Sequence, residues 1–192
     1  MAKQRLRTPL TDHDIKQLEA GERLLLSGEI FTARDAACQR LVRLLAAGTD
    51  LPIKLAGATI YFTGPSPARP GQITGSIGPT TSGRMDPYTP QLFAAGLKAI
   101  IGKGPLAREV VHTIAAHHAI YLAAIGGAGA LIARSVREAA VVAYPELGPE
   151  AIRRLVVEDL PLIVAVDPLG NDLYAIGRKH YLAQHYQETG EK

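Results

Sequence analysis

Short apolar, β-branched runs alternate along this chain with segments of helical periodicity, joined by turns rich in Gly and Pro. That alternation restricts the fold to the mixed α/β classes. Residues 23–30, 58–63, 98–101, 119–125, 139–144 and 162–167 read as strands, the last two as buried ones. Ile73 to Ile77 is expected to carry the sheet onward from the Gly/Pro/Ser loop before it. Between them lie the helix signals. Thr11 and Asp14 form a capping box ahead of Ile15 and Leu18, with Gly21 as the stop. Thr32-Ala33-Arg34-Asp35 repeats the form, with Thr32 as N-cap, before a helix whose Ala37, Leu41, Leu44 and Leu45 share one face up to Gly48. Thr89-Pro90 opens another helix, and Pro105 opens one reaching about His118. Gly126-Gly127-Ala128-Gly129 turns a strand into a helix toward Arg134, and Pro168 to Asp172 is a turn into Leu173 to Ile176. The two ends are expected to hold more strand than the middle. The fold expected is α/β, with a mixed sheet flanked by helices, in a single domain 1–192 whose tail is polar from about Gln184.

Composition narrows the function classes. A chain of 192 residues that is 47% hydrophobic can bury a real core. Its longest apolar stretch, Ala119 to Ala133, is broken by three glycines and reads as strand, loop and helix, not as a membrane span. The basic N-terminus is followed by no apolar signal region, so a cytoplasmic protein is expected. A formal charge of +3 is spread without a basic stripe, and three Phe, seven Tyr and no Trp give little surface for stacking bases. Nucleic acid is therefore not the expected partner. Cys38 is the only cysteine, so the chain can form no internal disulfide and cannot hold an iron–sulfur or zinc centre on thiolates alone.

Function-capable groups concentrate in Gly78-Pro79-Thr80-Thr81-Ser82-Gly83-Arg84-Met85-Asp86. Its glycines permit close backbone approach, its hydroxyls are consecutive, and Arg84 offers a planar fork for a carboxylate or phosphate. A surface loop whose hydroxyls cap the next helix, with Asp86 a solvated charge, fits the same residues. The loop is not a phosphate-binding P-loop, because Gly83 is followed by Arg84 and Met85. The Gly126 turn lacks the third glycine of a dinucleotide fingerprint and reads as close strand–helix packing or as backbone beside a substrate. Arg34 sits in the first turn of its helix, against the macrodipole, a placement that an incoming anion would relieve, as would pairing with Asp35 or Glu29. Lys103 lies between two glycines at a strand end, where open sheets present functional groups, although an ordinary exposed lysine fits better on pattern alone. His117 and His118 are adjacent and make a poor metal pair on a helix.

Taken in order, Thr32-Ala33-Arg34-Asp35, the Gly78 to Asp86 loop and Gly102-Lys103-Gly104 resemble the β subunit of class I fumarases and L-tartrate dehydratases, a unit that forms the C-terminal domain of single-chain members. The resemblance runs from about Thr8 to Tyr181. It implies a swivelling β/β/α fold and a hydro-lyase site shared with an α subunit that carries a 4Fe–4S cluster. Carried onto matching positions, Arg34, Thr81, Arg84 and Lys103 would bind a small dicarboxylate, and Thr80 would move the proton, activated by neighbouring cations and an α-subunit carboxylate. Fumarate hydration is the first reading and tartrate dehydration the second; a non-catalytic module for anionic metabolites is the alternative from another class. Without its α subunit the chain is open to forming a homodimer. One departure stands out: Cys38-Gln39 occupies the place where members commonly carry His and a basic residue. Cys38 is expected to pack as a small apolar side chain.

Overall fold

A computed structural model describes residues 4–186. The strands are β1 (Gln4–Arg7), β2 (Arg23–Thr32), β3 (Thr59–Tyr61), β4 (Ala99–Gly102), β5 (Ile120–Ala123), β6 (Val136–Ala143) and β7 (Ile152–Val166). The helices are α1 (Asp12–Ile15), α2 (Asp35–Ala46), α3 (Thr89–Ala94), α4 (Arg108–Ala116), α5 (Gly129–Ala133) and α6 (Leu173–Tyr186). One sheet runs β1-β2-β3-β4-β5-β7-β6, and β7 also pairs with β2. The pairing therefore closes β2, β3, β4, β5 and β7 into a ring.

The ring closes because β7 is long. Over its 15 residues it lies antiparallel to the whole of β2, from Arg23 opposite Ile163 to Thr32 opposite Arg153. Its other edge takes β6 over Ile152 to Val157 and β5 over Ile163 to Val166. The neighbours β1 to β5 are parallel to one another. The C-terminal ends of β2, β3, β4 and β5 therefore emerge together. That end is where a parallel sheet presents its functional loops.

Side-chain alternation sorts the core into two layers. Ile60, Phe62, Ile100 and Tyr121 face α2, α3 and α4 together with Ala37, Cys38, Leu41, Leu92, Phe93 and Ile114. Tyr61, Ala99, Ile101, Ile120 and Leu122 face the opposite way, onto Leu24, Leu26, Leu155, Leu160 and Val164. The short parallel strands are covered on both faces, which explains their near-continuous apolar sequences.

The expected α/β class, with a mixed sheet flanked by helices, is the architecture found. The capping box at Thr11 is present in both directions. Several local expectations need correction. Thr32 does not cap α2: its hydroxyl donates to the Ala151 carbonyl and accepts from Arg153 N–H, tying the end of β2 to β7. Ile73 to Ile77 forms no strand; Ser76 is hydrogen-bonded to Ser66 within the same loop, and Ile73 is 52% exposed. Residues 139–144 are not buried, since β6 has a partner on one edge only and leaves Val141 and Val142 exposed. The chain end is helical, because Leu173 to Ile176 opens α6, which continues through Gln184. The expected polar tail beyond Tyr186 lies outside the described residues. Among those residues, no helix is long and apolar enough to cross a membrane.

Candidate active site

Four strand ends supply the site. After β2, the chain turns at Ala33 and Arg34 into α2; Arg34 is the N-cap, with extended backbone and no side-chain cap of its own. The cap comes from far away in sequence. Glu150, at the end of the 3-10 segment Pro145–Glu150, accepts from Ala36 N–H at 2.9 Å. A carboxylate there satisfies an orphan amide and the positive end of the helix dipole. It also lies 3.4 Å from Arg34 Nε, while Asp35 Oδ2 lies 3.1 Å from the same nitrogen. Arg34 is thus compensated by two carboxylates of its own chain. Glu29, the other candidate partner, pairs with Arg154 instead.

The loop after β3 is held along its length. Thr80 N–H donates to the Phe62 carbonyl at 2.8 Å, Lys103 N–H to the Thr80 carbonyl at 3.2 Å, and Ser82 N–H to the Lys103 carbonyl at 2.8 Å. Residues 80–82 therefore run as a short parallel extension beside the end of β4, with Thr81 bridged to Lys103. A 3-10 turn, Ser82–Met85, then presents Arg84. Met85 and Ser82 are its buried anchors, and the Ser82 hydroxyl donates to Tyr121 Oη at 3.0 Å.

Arg84 reaches back to the start of α2. Its Nε and Nη2 lie 3.0 and 2.8 Å from Asp35 Oδ1, and its Nη1 donates to Thr80 Oγ1 at 3.4 Å. Asp35 thereby links the guanidiniums of two separate elements. Burial alone would raise its carboxyl pKa; hydrogen bonds from Arg34, the backbone and Arg84 outweigh that and leave it lowered. Thr81, Arg84 and Lys103 are exposed, so the cations line an open shelf and not an enclosed cavity.

The neighbouring loops buttress this shelf. Lys103 passes beside Gly126, where an added Cβ would lie 3.6 Å from Lys103 Cδ. Gly129 faces Gly78 so closely that a Cβ there would lie 2.7 Å from the Gly78 nitrogen. The glycine turn after β5 thus packs against the Thr80 loop and Lys103, not only against its own helix. The Gly104 carbonyl accepts from Tyr121 Oη at 2.8 Å, and its N–H donates to Tyr174 Oη on α6 at 3.0 Å. Asp86 is not a solvated charge. It is partly buried and accepts from Ala107 N–H at 2.8 Å, while its Oδ1 is buried without a partner; burial pushes its carboxyl pKa up.

The sequence pattern singled out Arg34, Thr80, Thr81, Arg84 and Lys103, and the fold brings all five to the same end of the ring. It did not single out Asp35 as a bridge, Glu150 as the cap, or Tyr174 as a brace. Asp35 sat inside a quoted motif and could have been found there; Glu150 and Tyr174 are joined to the site only by the tertiary fold. Cys38 is fully buried on the inner face of α2, and burial, with Asp35 and Glu150 nearby, pushes its thiol pKa far up. Among the described residues, no group of three or more His, Cys, Asp or Glu is arranged to hold a metal ion. The side chains present here do not fit a cluster ligand set.

Comparison with known proteins gives the family of the chain. The family model described as Fumarase C-terminus matches residues 2–177. "Fumarate hydratase class I, anaerobic" of Escherichia coli K12 is 40% identical over 162 residues, covering 83% of this chain and 30% of that protein. "Fumarate hydratase 2" of Leishmania major is 37% identical over 164 residues, covering 84% of this chain and 29% of that protein. The chain thus spans about three tenths of the length of these fumarate hydratases. A Methanocaldococcus jannaschii protein whose name, L(+)-tartrate dehydratase subunit beta, is itself provisional is 38% identical over 179 residues, covering 90% of this chain and 92% of that protein. By the extent of the family match and these identities, the chain belongs to the fumarase C-terminal domain family.

Proposed function

We propose that the chain is the β subunit of a cytoplasmic hydro-lyase, one domain over 1–192, that closes over a dicarboxylate held against a cluster-bearing α subunit. Reversible hydration of fumarate to malate is the reaction assigned. The observation that carries it is the arrival of Arg34, Thr80, Arg84 and Lys103 at one end of the ring, Arg84 and Lys103 exposed and Arg34 and Thr80 partly buried, with Arg84 touching both Asp35 and Thr80. Separation into subunits is supported by the Methanocaldococcus jannaschii relative, almost all of which this chain covers. Since the present side chains do not fit cluster ligation, the 4Fe–4S group of this reading is assigned to the α subunit, and no step is derived through it.

The chemistry asked of this chain is binding and charge stabilisation. Moving a proton at the carbon beside a carboxylate drives negative charge onto that carboxylate. Guanidinium and ammonium groups already in place stabilise this charge without reorganisation. In this reading Arg34, Arg84 and Lys103 take the substrate carboxylates, Thr81 adds a hydroxyl, and Thr80 exchanges the proton. The Arg84 N–H on Thr80 Oγ1 occupies one acceptor site of the hydroxyl and stabilises its deprotonated form. A threonine needs such help, together with a carboxylate from the partner, to act at neutral pH.

Tartrate dehydration is a second reading, favoured by the same Methanocaldococcus jannaschii relative through its printed name. Anaerobic assay of the α/β complex with malate, fumarate and the tartrate stereoisomers separates the two. Turnover of malate and fumarate is expected from the complex, and none from the isolated chain. Turnover confined to a tartrate would replace fumarate as substrate. Tight dicarboxylate binding by the isolated chain, with no activity in any complex, would make it an anion-binding module.

A further inference from the structure

Arg34 and Arg84 carry like charge, come from different loops and both contact Asp35. Each is held by its Nε edge, Arg34 at 3.1 Å from Oδ2 and Arg84 at 3.0 Å from Oδ1, with Arg84 Nη2 also on Oδ1 at 2.8 Å. Arg84 Nη1 remains on Thr80 Oγ1. Contacts at Nε, Nη2 and Nη1 fix the plane of the Arg84 fork, while Arg34 is steered at Nε by Asp35 with Glu150 beside it, so Asp35 is the one carboxylate common to both forks.

The bridge is poorly placed to be a stability device. Arg84 is 49% exposed and Asp35 30% exposed, so solvent screens the pair. The chain nevertheless places one carboxylate against two cations, although Arg34 already has Glu150 3.4 Å from its Nε. That arrangement makes sense where orientation matters more than raw attraction.

We propose that Asp35 is a positioning residue: it presents the Arg34 and Arg84 guanidiniums as a set pair to a substrate carboxylate and, through Arg84 Nη1, orients the Thr80 hydroxyl. The proposal rests on the hydro-lyase reading for its substrate and adds a residue to which that reading gives no role. Misplacing a reacting group by about 1 Å costs about 100-fold in rate, which sets the effect to look for.

The test compares wild type, Asp35→Asn and Asp35→Glu in the α/β complex, with a second readout on the full chain alone. Asp35→Asn is expected to lower kcat/KM for the dicarboxylate about 100-fold and to raise KM. The melting temperature should shift by no more than about 4 °C, the response to a small screened interaction in a chain of this size. Asp35→Glu should recover part of the loss by restoring the charge. In the nitrogen NMR spectrum of the chain, Asp35→Asn should speed solvent exchange of the Arg84 Nε proton. Unchanged kcat/KM in Asp35→Asn would overturn the inference and leave the hydro-lyase reading intact. A large fall in melting temperature with KM unchanged would also overturn it, by showing a structural role. If the wild-type complex turns over no dicarboxylate, the hydro-lyase reading fails by itself. Malate titration of the chain and the Arg84 exchange rate then decide on Asp35: weaker binding with faster exchange in Asp35→Asn supports positioning, and no change in either overturns it.

Discussion

At the scale of the residue, Arg84 is the point on which the site turns. It joins the start of α2 to the Thr80 loop, through Asp35 on one side and Thr80 Oγ1 on the other. Arg84→Ala removes a cation aimed at developing carboxylate charge and releases Thr80 at the same time. Loss of a comparable transition-state donor costs about 3 kcal/mol, so kcat/KM of the complex should fall roughly 10²-fold. Stability should hardly change, because the side chain is half exposed. Steady-state kinetics and a thermal melt check both halves, and near-wild-type turnover would remove Arg84 from the reaction. Arg34 teaches a complementary lesson. Its position against the helix dipole was visible in the sequence and suggested an external anion. In the fold, Asp35 and Glu150 already supply the negative charge, and Glu150 reaches it from the far side of a long stretch of chain. Sequence spacing could not have shown that contact.

At the scale of the element, the site depends on how closely the Thr80 loop lies on the end of β4. Gly102 makes that approach possible: a Cβ at this position would lie 2.0 Å from Ser82 Oγ. Gly102→Ala must push Ser82 away, breaking its bond to Tyr121 and disturbing the backbone bond between Ser82 and Lys103. Overpacking of this kind costs about 2 kcal/mol, a fall in melting temperature of about 4–8 °C for a chain of this size. Adding Ser82→Ala should recover part of the loss, because the colliding oxygen is gone; a purely additive double variant would locate the strain elsewhere. The Gly102-Lys103-Gly104 motif was legible as a sequence, but its first glycine had no stated reason until Ser82 was seen above it. Other elements divide similarly. The helix patterns and the short parallel strands were legible because their apolar residues recur at the right period. Strand β6 carries the apolar residues of a buried strand yet lies at the sheet edge with Val141 and Val142 exposed, since apolar residues alone do not tell a covered strand from an edge. Ile73 to Ile77 has strand-like residues, yet Ser76 pairs with Ser66 inside the loop while Ile77 N–H donates to the Gly129 carbonyl and its own carbonyl accepts from Tyr61 Oη, a tertiary outcome that no local pattern encodes.

At the scale of the whole molecule, the response of the fold to acid is the sum of local carboxyl environments. The carboxyls near the shelf are shifted in opposite directions. Asp35 is raised by burial but lowered further by Arg34, the backbone and Arg84, to a net value below the ordinary 3.8. Its folded-state pKa is thus lower than its unfolded one. The stability it contributes is present above pH 3.8 and is lost as pH falls through the depressed value. Asp86 is raised above 3.8 by burial, with Ala107 N–H opposing and Glu109 reinforcing the shift. Its contribution is complete below 3.8 and is lost as pH rises through the raised value, so at neutral pH its ionised form weighs against folding. The two act in different windows. As pH falls from 7, protonation of Asp86 should first raise the melting temperature, or offset other losses, before titration of Asp35 lowers it below pH 3.8. The exposed carboxyls Asp12, Asp14 and Glu146, each lowered by a hydrogen-bonding partner, add to that acid-side fall. So does the rise of positive charge on a chain already at +3. Thermal melts between pH 3 and 7 on wild type, Asp35→Asn and Asp86→Asn resolve the contributions. Asp86→Asn should abolish the component that gains stability on mild acidification, and Asp35→Asn should shallow the fall at the acid end. An Asp86→Asn curve parallel to wild type throughout would mean that its carboxyl titrates alike in the folded and unfolded chain.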